Sequence, residues 1–209
     1  MSDVRMPAAA AAGVTGGGAV RAHVDKPSVI RIATGDEEED IVRICKDLYA
    51  ENGQYFALSE KRVRENLARA FNKKGAMLPA IGPKGSIEAL GYVSIEQFAW
   101  SEDWHLSEWF NYVLPDRRRS QHAKAMLLWE KGAADQMGIV LWIGVVSSHR
   151  LAAKLRLYRR IFGDGSSFKM PSGVDIDGFL ASCGCAGAYF VYEPKTRYSD
   201  RVAAEASSH

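Results

Sequence analysis

The 209-residue sequence predicts a mixed α/β domain with a central, mostly antiparallel sheet, one parallel strand pair within it, and about four flanking helices. Segments that read as strands interleave with segments whose apolar residues recur at helical spacing. Ile139 to Val146 is almost wholly apolar, the pattern of a strand buried on both faces. A strand and a long helical pattern precede it, so residues 106–146 read as a strand–helix–strand crossover whose two strands are parallel.

Val29 to Ala33 reads as the first strand. Glu37, Glu38, Glu39 and Asp40 then suit a solvated first helical turn, where carboxylates complement the helix dipole. Ile41, Ile44, Cys45 and Leu48 carry that helix inward, and Gly53 stops it. Ser59 opens a second helix with Val63, Leu67, Ala70 and Phe71 on one face, and Gly75 ends it. Met77 to Ile81 and Ile87 to Phe98 form a hairpin around the turn Gly82-Pro83-Lys84-Gly85. Leu106 to Leu114 is the next strand, broken by Pro115.

A long helix comes next, from about Arg118 to Met137, with Ala125, Leu128, Trp129 and Ala133 expected inside and Gly138 as its C-terminal cap. His149 to Phe162 is the last helix, its inner side formed by Leu151, Leu155 and Tyr158. Residues 166–170 and 187–192 complete the strands. Residues 28–198 are expected to form one domain, with disordered tails at 1–27 and 199–209.

Composition excludes several classes. A hydrophobic fraction of 47% excludes global disorder, and no apolar run approaches the ~20 residues of a membrane helix. The balance of 27 basic against 25 acidic residues argues against a nucleic-acid coat. The N-terminus lacks secretory features, and three cysteines (Cys45, Cys183, Cys185) fit a reducing cytoplasm better than a disulfide framework. Cys183-Gly184-Cys185 has no second Cys/His pair at zinc spacing, so no metal is expected.

The chemistry concentrates where the strand ending at Val113 feeds the turn into the long helix. Unpaired amides of a first helical turn point outward and, with the dipole, form an anion site suited to phosphate or pyrophosphate. Arg117, Arg118, Arg119 and Lys124 add charge, and small Ala123 admits a ligand close to the backbone. Neither the Gly-x-x-x-x-Gly-Lys-Ser/Thr loop nor Gly-x-Gly-x-x-Gly is present. Glu108, a few residues earlier on the same strand, is a candidate general base, and His105 a weaker one. Trp100 and Trp104 flank a loop and are candidate walls of an acceptor pocket; the remaining tryptophans read as core.

This segment resembles motif A of the GNAT superfamily of acyl-CoA-dependent N-acyltransferases. Val113-Leu114-Pro115-Asp116-Arg117-Arg118 matches Val-x-Pro-x-x-Arg, and Arg118-Arg119-Ser120-Gln121-His122-Ala123 matches Arg/Gln-x-x-Gly-x-Gly/Ala, with Gln121 where the family usually has Gly. Leu157-Tyr158-Arg159-Arg160-Ile161-Phe162-Gly163 is similar to the family's Leu-Tyr-x-x-x-Gly, and the element order over 29–193 agrees. The resemblance implies acetyl-CoA as co-substrate, with its pyrophosphate on Arg118, Arg119, Ser120, Gln121, His122, Ala123 and Lys124. It places pantetheine and thioester oxygen on the backbone of Asn111, Tyr112 and Val113, and makes Tyr158 the acid that protonates the departing thiolate. It also implies that Tyr55 and Phe56 cover the acceptor, a small-molecule or peptide amine. Two rival readings stay open: a non-catalytic acyl-CoA-binding or assembly module, and an enzyme acetylating aminoacyl-tRNA through the basic helix 149–162. A homodimer is compatible with the sequence.

Overall fold

Among the described residues, seven strands form a single sheet in the order β1-β3-β4-β5-β6-β7, with β2 also pairing to β4. In chain order the elements are β1 (Ile30–Ile32), α1 (Glu38–Asn52), α2 (Glu60–Phe71), β2 (Ala76–Met77), β3 (Pro79–Ile81), β4 (Ala89–Gln97), β5 (Trp104–Val113), α3 (His122–Met137), β6 (Val140–Val146), α4 (Leu151–Phe162) and β7 (Gly187–Tyr192). This computed structural model describes residues 28–52, 57–146, 151–162 and 187–200. The expected strand at 166–170, both outer cysteines and most of the two expected tails lie outside these residues. No helix among the described residues is long and apolar enough to cross a membrane.

All strand pairs are antiparallel except β5–β6, as the crossover pattern predicts. One buried cluster joins α1 and α2 to the sheet through Ile41, Ile44, Leu67, Leu78, Leu90 and Tyr92. Another joins α3 and α4 to it through Leu106, Leu127, Leu141, Ile143, Leu155 and Tyr158. Leu90 and Tyr92 serve the first cluster and Val93 the second, so helices cover both faces of β4. Burial of large apolar side chains at roughly 1.5–3 kcal/mol each makes these two layers the main source of stability.

Several local expectations shift. The strand expected over 77–81 is two short strands, because Pro79 has no N–H to continue the ladder. Glu37 is buried rather than solvated: Arg31 grips its carboxylate with two hydrogen bonds of 2.7 and 2.6 Å. Helix α3 starts at His122, four residues later than expected, after a 3-10 turn over Pro115–Arg117. Its buried stripe is His122, Met126, Leu127, Glu130 and Ala134, so Leu128 faces outward. Gly138 does cap it, at φ 70°.

Two irregularities in β5 open one end of the sheet. Against β4, Tyr92 pairs with Phe110 and Val93 with Glu108, so Trp109 is an extra residue, a β-bulge. Trp109 and Phe110 both approach the Tyr92 ring, with centroids at 5.1 and 6.2 Å. The bulge re-phases the strand: Leu106 serves the α3/α4 core, whereas Phe110 and Tyr112 serve the α1/α2 core. Against β6, the parallel ladder runs only from His105↔Val140 to Glu108↔Ile143. Beyond that point the two strands part.

The β3–β4 hairpin that aligns this arrangement turns on Gly82, at φ 105°. A Cβ there would lie 2.4 Å from the Ser86 carbonyl oxygen and 2.9 Å from the Glu88 nitrogen. Gly82→Ala is therefore expected to destabilise the fold by about 1–3 kcal/mol in denaturant melts. Unchanged stability would contradict this turn geometry.

Candidate active site

Where β5 leaves β6, alternate amides of residues 109–113 face away from β4, and no strand among the described residues receives them. A cavity of about 640 Å³ occupies this gap. Its floor is Glu108 to Asn111 of β5 with Gly144 of β6. Ala123 and Leu127 of α3 bound one side, and Lys154, Leu157 and Tyr158 of α4 another. Helices α1 and α2 form a largely apolar opposite wall, including Cys45, Leu48, Tyr49 and Val63. Both polar side-chain atoms of Asn111 are buried here without a protein partner among the described residues, so the cavity holds unmet hydrogen-bonding capacity.

The start of α3 faces this space through Ala123. The first amide to bond back along the helix is that of Ala125, to Gln121 at 2.9 Å. The His122 amide is taken by the Ser120 hydroxyl at 3.2 Å. Among the described residues no hydrogen bond takes the amides of Gln121, Ala123 or Lys124. Gln121 has φ −87°, a conformation open to any residue, so the absence of glycine there does not distort the turn. Arg119 and Lys124 are exposed beside these amides.

Arg118 and His122 do other work in this structure. The Arg118 guanidinium pairs with Glu51 at the end of α1, donates to the Val113 carbonyl at 3.2 Å and lies over the Tyr112 ring. Burial pushes the Glu51 carboxyl up, but hydrogen bonds from Arg118 and Tyr112 outweigh it and hold Glu51 below the usual range. The His122 ring turns inward, with Ser28 Oγ 2.8 Å from Nδ1 and Glu88 Oε2 2.8 Å from Nε2. Arg118 thus ties the turn to α1, and His122 anchors the helix start to the chain before β1.

At the bottom of the cavity the Tyr158 hydroxyl donates to Glu108 Oε1 at 3.0 Å. Both residues are buried. Desolvation raises the Glu108 carboxyl to about 7, against the pull of hydrogen bonds from Glu130 and Tyr158 and the charge of Lys154. Burial, reinforced by the charge of Glu108 and by its hydrogen bond, holds the Tyr158 phenol far above its usual range. Burial lowers the Lys154 ammonium. The site therefore combines a carboxyl poised near neutrality with a phenol that keeps its proton.

Solved structures with this arrangement of strands and helices include several acetyltransferases. Arabidopsis thaliana NAA60, solved with a bisubstrate analogue, superposes with a TM-score of 0.56 at 15% identity, over 80% of this chain and 98% of that one. A protein of Desulfovibrio desulfuricans assigned to the GNAT family of acetyltransferases gives 0.54 at 14% identity, over 79% and 98%. The fold is that of the GNAT acetyltransferases. A predicted acetyltransferase of Clostridium acetobutylicum, solved with acetyl-CoA, gives 0.52 at 16% identity, over 61% and 87%. No protein-family profile and no curated protein sequence matches the chain.

Within this GNAT fold, the structure brings together Glu108, Tyr158, Asn111 and Ala123 around one cavity. Tyr112 and Val113 continue the parted strand, with the Tyr112 ring buried beneath it. Tyr55 and Phe56 lie outside the described residues. Trp100 and Trp104 do not line the cavity: they sit at the other end of β5, 82% and 55% exposed. Trp109, expected in the core, is 47% exposed and does line it. His105 is stacked on Phe98 at 4.1 Å, away from the cavity. Sequence reasoning missed Glu130; it lies on α3 beside Glu108, completely buried.

A carboxyl raised on folding binds its proton more tightly in the native state, so stability falls as pH rises from the unfolded value of 4.5 through about 7. Glu108→Gln removes that liability. Relative to wild type it should gain on the order of 1–3 kcal/mol as pH rises through this window, measured by denaturant unfolding at several pH values. A pH-independent difference would mean that Glu108 titrates normally.

Proposed function

We propose that this chain is an N-acetyltransferase that moves the acetyl group of acetyl-CoA directly to a primary amine. The observation that carries this reading is the 3.0 Å hydrogen bond between Glu108 and Tyr158 at the foot of the gap between β5 and β6. In the proposed reaction the diphosphate of the co-substrate lies on the free amides of Gln121, Ala123 and Lys124, with Arg119 and Lys124 nearby. The pantetheine arm then runs along the parted edge of β5, past Asn111, Tyr112 and Val113. Amides facing the gap receive the oxygen that becomes negative as the amine adds.

Ionised Glu108 takes a proton from the amine nitrogen as that nitrogen bonds to the acetyl carbon. The carbon–sulfur bond then breaks, and the Tyr158 hydroxyl protonates the departing thiolate. Glu108, now carrying a proton 3.0 Å away, returns it to the phenolate. Products are the amide and the free thiol, and both side chains end as they began. Burial is the main cause of the weak acidity of Tyr158, but protonation of Glu108 removes the negative charge that adds to it, so the phenol becomes a better donor at the step that needs one. The wall formed by Leu48, Tyr49, Val63 and Trp109 suits an amine borne on an apolar or aromatic body.

Tyr158→Phe is expected to lower kcat about 10–100-fold while acetyl-CoA affinity by calorimetry stays within about twofold. In wild type, kcat/KM should fall as pH drops through about 7, because the base must be ionised. Transfer to no member of an amine panel, with intact acetyl-CoA binding, would instead establish the non-catalytic module.

Ala123→Asp tests the anion site separately. A carboxylate in the first turn of α3 favours the helix but repels a diphosphate. Unchanged or raised thermal stability with at least about tenfold weaker acetyl-CoA binding is expected; undiminished affinity would place the diphosphate elsewhere.

A further inference from the structure

Glu130 is fully buried on the inner stripe of α3, and neither carboxyl oxygen meets a donor N–H or O–H among the described residues. Its carboxyl reaches the carboxyl of Glu108 instead. Two ionised carboxylates in contact and out of water would repel strongly, whereas one shared proton turns the contact into a hydrogen bond. The surroundings decide which residue holds that proton. Glu108 receives the Tyr158 hydroxyl at 3.0 Å and feels the Lys154 ammonium, both from α4. The flanking strands place only Val93 and Ile143 opposite it. Glu130 has no such support: desolvation and the negative charge of Glu108 both act against its ionisation, and no cation among the described residues offsets them.

We infer that Glu130 is a positioning residue, a neutral carboxylic acid that donates its proton in a hydrogen bond to Glu108 and so keeps Glu108 ionised and oriented toward the amine. This rests on Glu108 being the base, and it assigns Glu130 no contact with substrate. It explains how a carboxylate enclosed by protein stays available near neutral pH. Without a donor from α3, burial would drive Glu108 further toward its protonated, inactive form.

Two variants separate donation from mere filling of space. Glu130→Gln keeps an N–H donor, and Glu130→Leu supplies none. Replacing a buried acid by an apolar side chain is commonly tolerated or stabilising, and thermal melts verify folding for both. The first readout is a carboxyl ¹³C NMR titration of the ligand-free protein. Glu130 is expected to stay protonated through neutrality while Glu108 titrates; Leu should move the Glu108 midpoint upward by about one pH unit, and Gln should largely restore it. An unmoved midpoint, or one that falls in Glu130→Leu, overturns the inference, since a fall means that Glu130 carries charge. The second readout is the acidic limb of kcat/KM, which should follow the NMR midpoint across wild type and both variants. NMR midpoints that move as expected beside a fixed limb would uphold the Glu130–Glu108 hydrogen bond and remove Glu108 as the base.

Discussion

The parting of β5 from β6 after Ile143 is the constraint on which the site depends. A paired ladder satisfies every amide along its edge; a parted one leaves a row of donors that must find water or a ligand. Here the row opens into a cavity walled by helices from both faces of the sheet. The same point on the sheet therefore supplies space, directional donors and access to groups beneath. The bulge at Trp109 adds a second displacement. By re-phasing β5 it leaves Glu108 facing α3 and α4 while Phe110 and Tyr112 turn to α1 and α2.

The electrostatics derive from this placement. Near the mouth Arg118 is paired with Glu51 and Arg117 with Glu88 and Asp116, while Arg119 and Lys124 are exposed. Deeper in, compensation is incomplete, and two carboxyls share a region of low polarity with a phenol and a half-buried ammonium. Such a cluster does little for stability. Its retention inside an otherwise apolar α3/α4 core is the strongest physical reason to regard this end of the sheet as chemical rather than structural.

Much of the architecture was legible. Periodicity located the described helices, Ser59 and Gly138 marked real helix ends, and the apolar run 139–146 identified the strand that makes the parallel pair. The motif around Pro115 pointed to the helix start that borders the cavity, and Glu108 and Tyr158 do meet. What failed has separate physical causes. The α3 stripe was phased on apolar residues, but its true phase runs through His122 and Glu130 at the four-residue spacing of Met126 and Ala134. Polar side chains that become buried through a partner on a distant strand leave no hydropathy signal. That spacing was the available clue. The tryptophans misled for the opposite reason: size suggests burial, yet Trp109 is half-exposed on the cavity wall. Arg118 looked like free charge because its counter-ion, Glu51, lies 67 residues away in sequence.

Cys45 lines the α1 wall of the same cavity, and desolvation pushes its thiol up to about 11. Only a thiolate attacks a thioester efficiently, and at neutral pH about one such side chain in ten thousand would be ionised. A sulfur nucleophile on the cavity wall is therefore held almost wholly in its un-ionised, chemically silent form. In the proposed transfer, the burial of Cys45 on the α1 wall that encloses the pocket would also keep this thiol from competing with the amine for the acyl group.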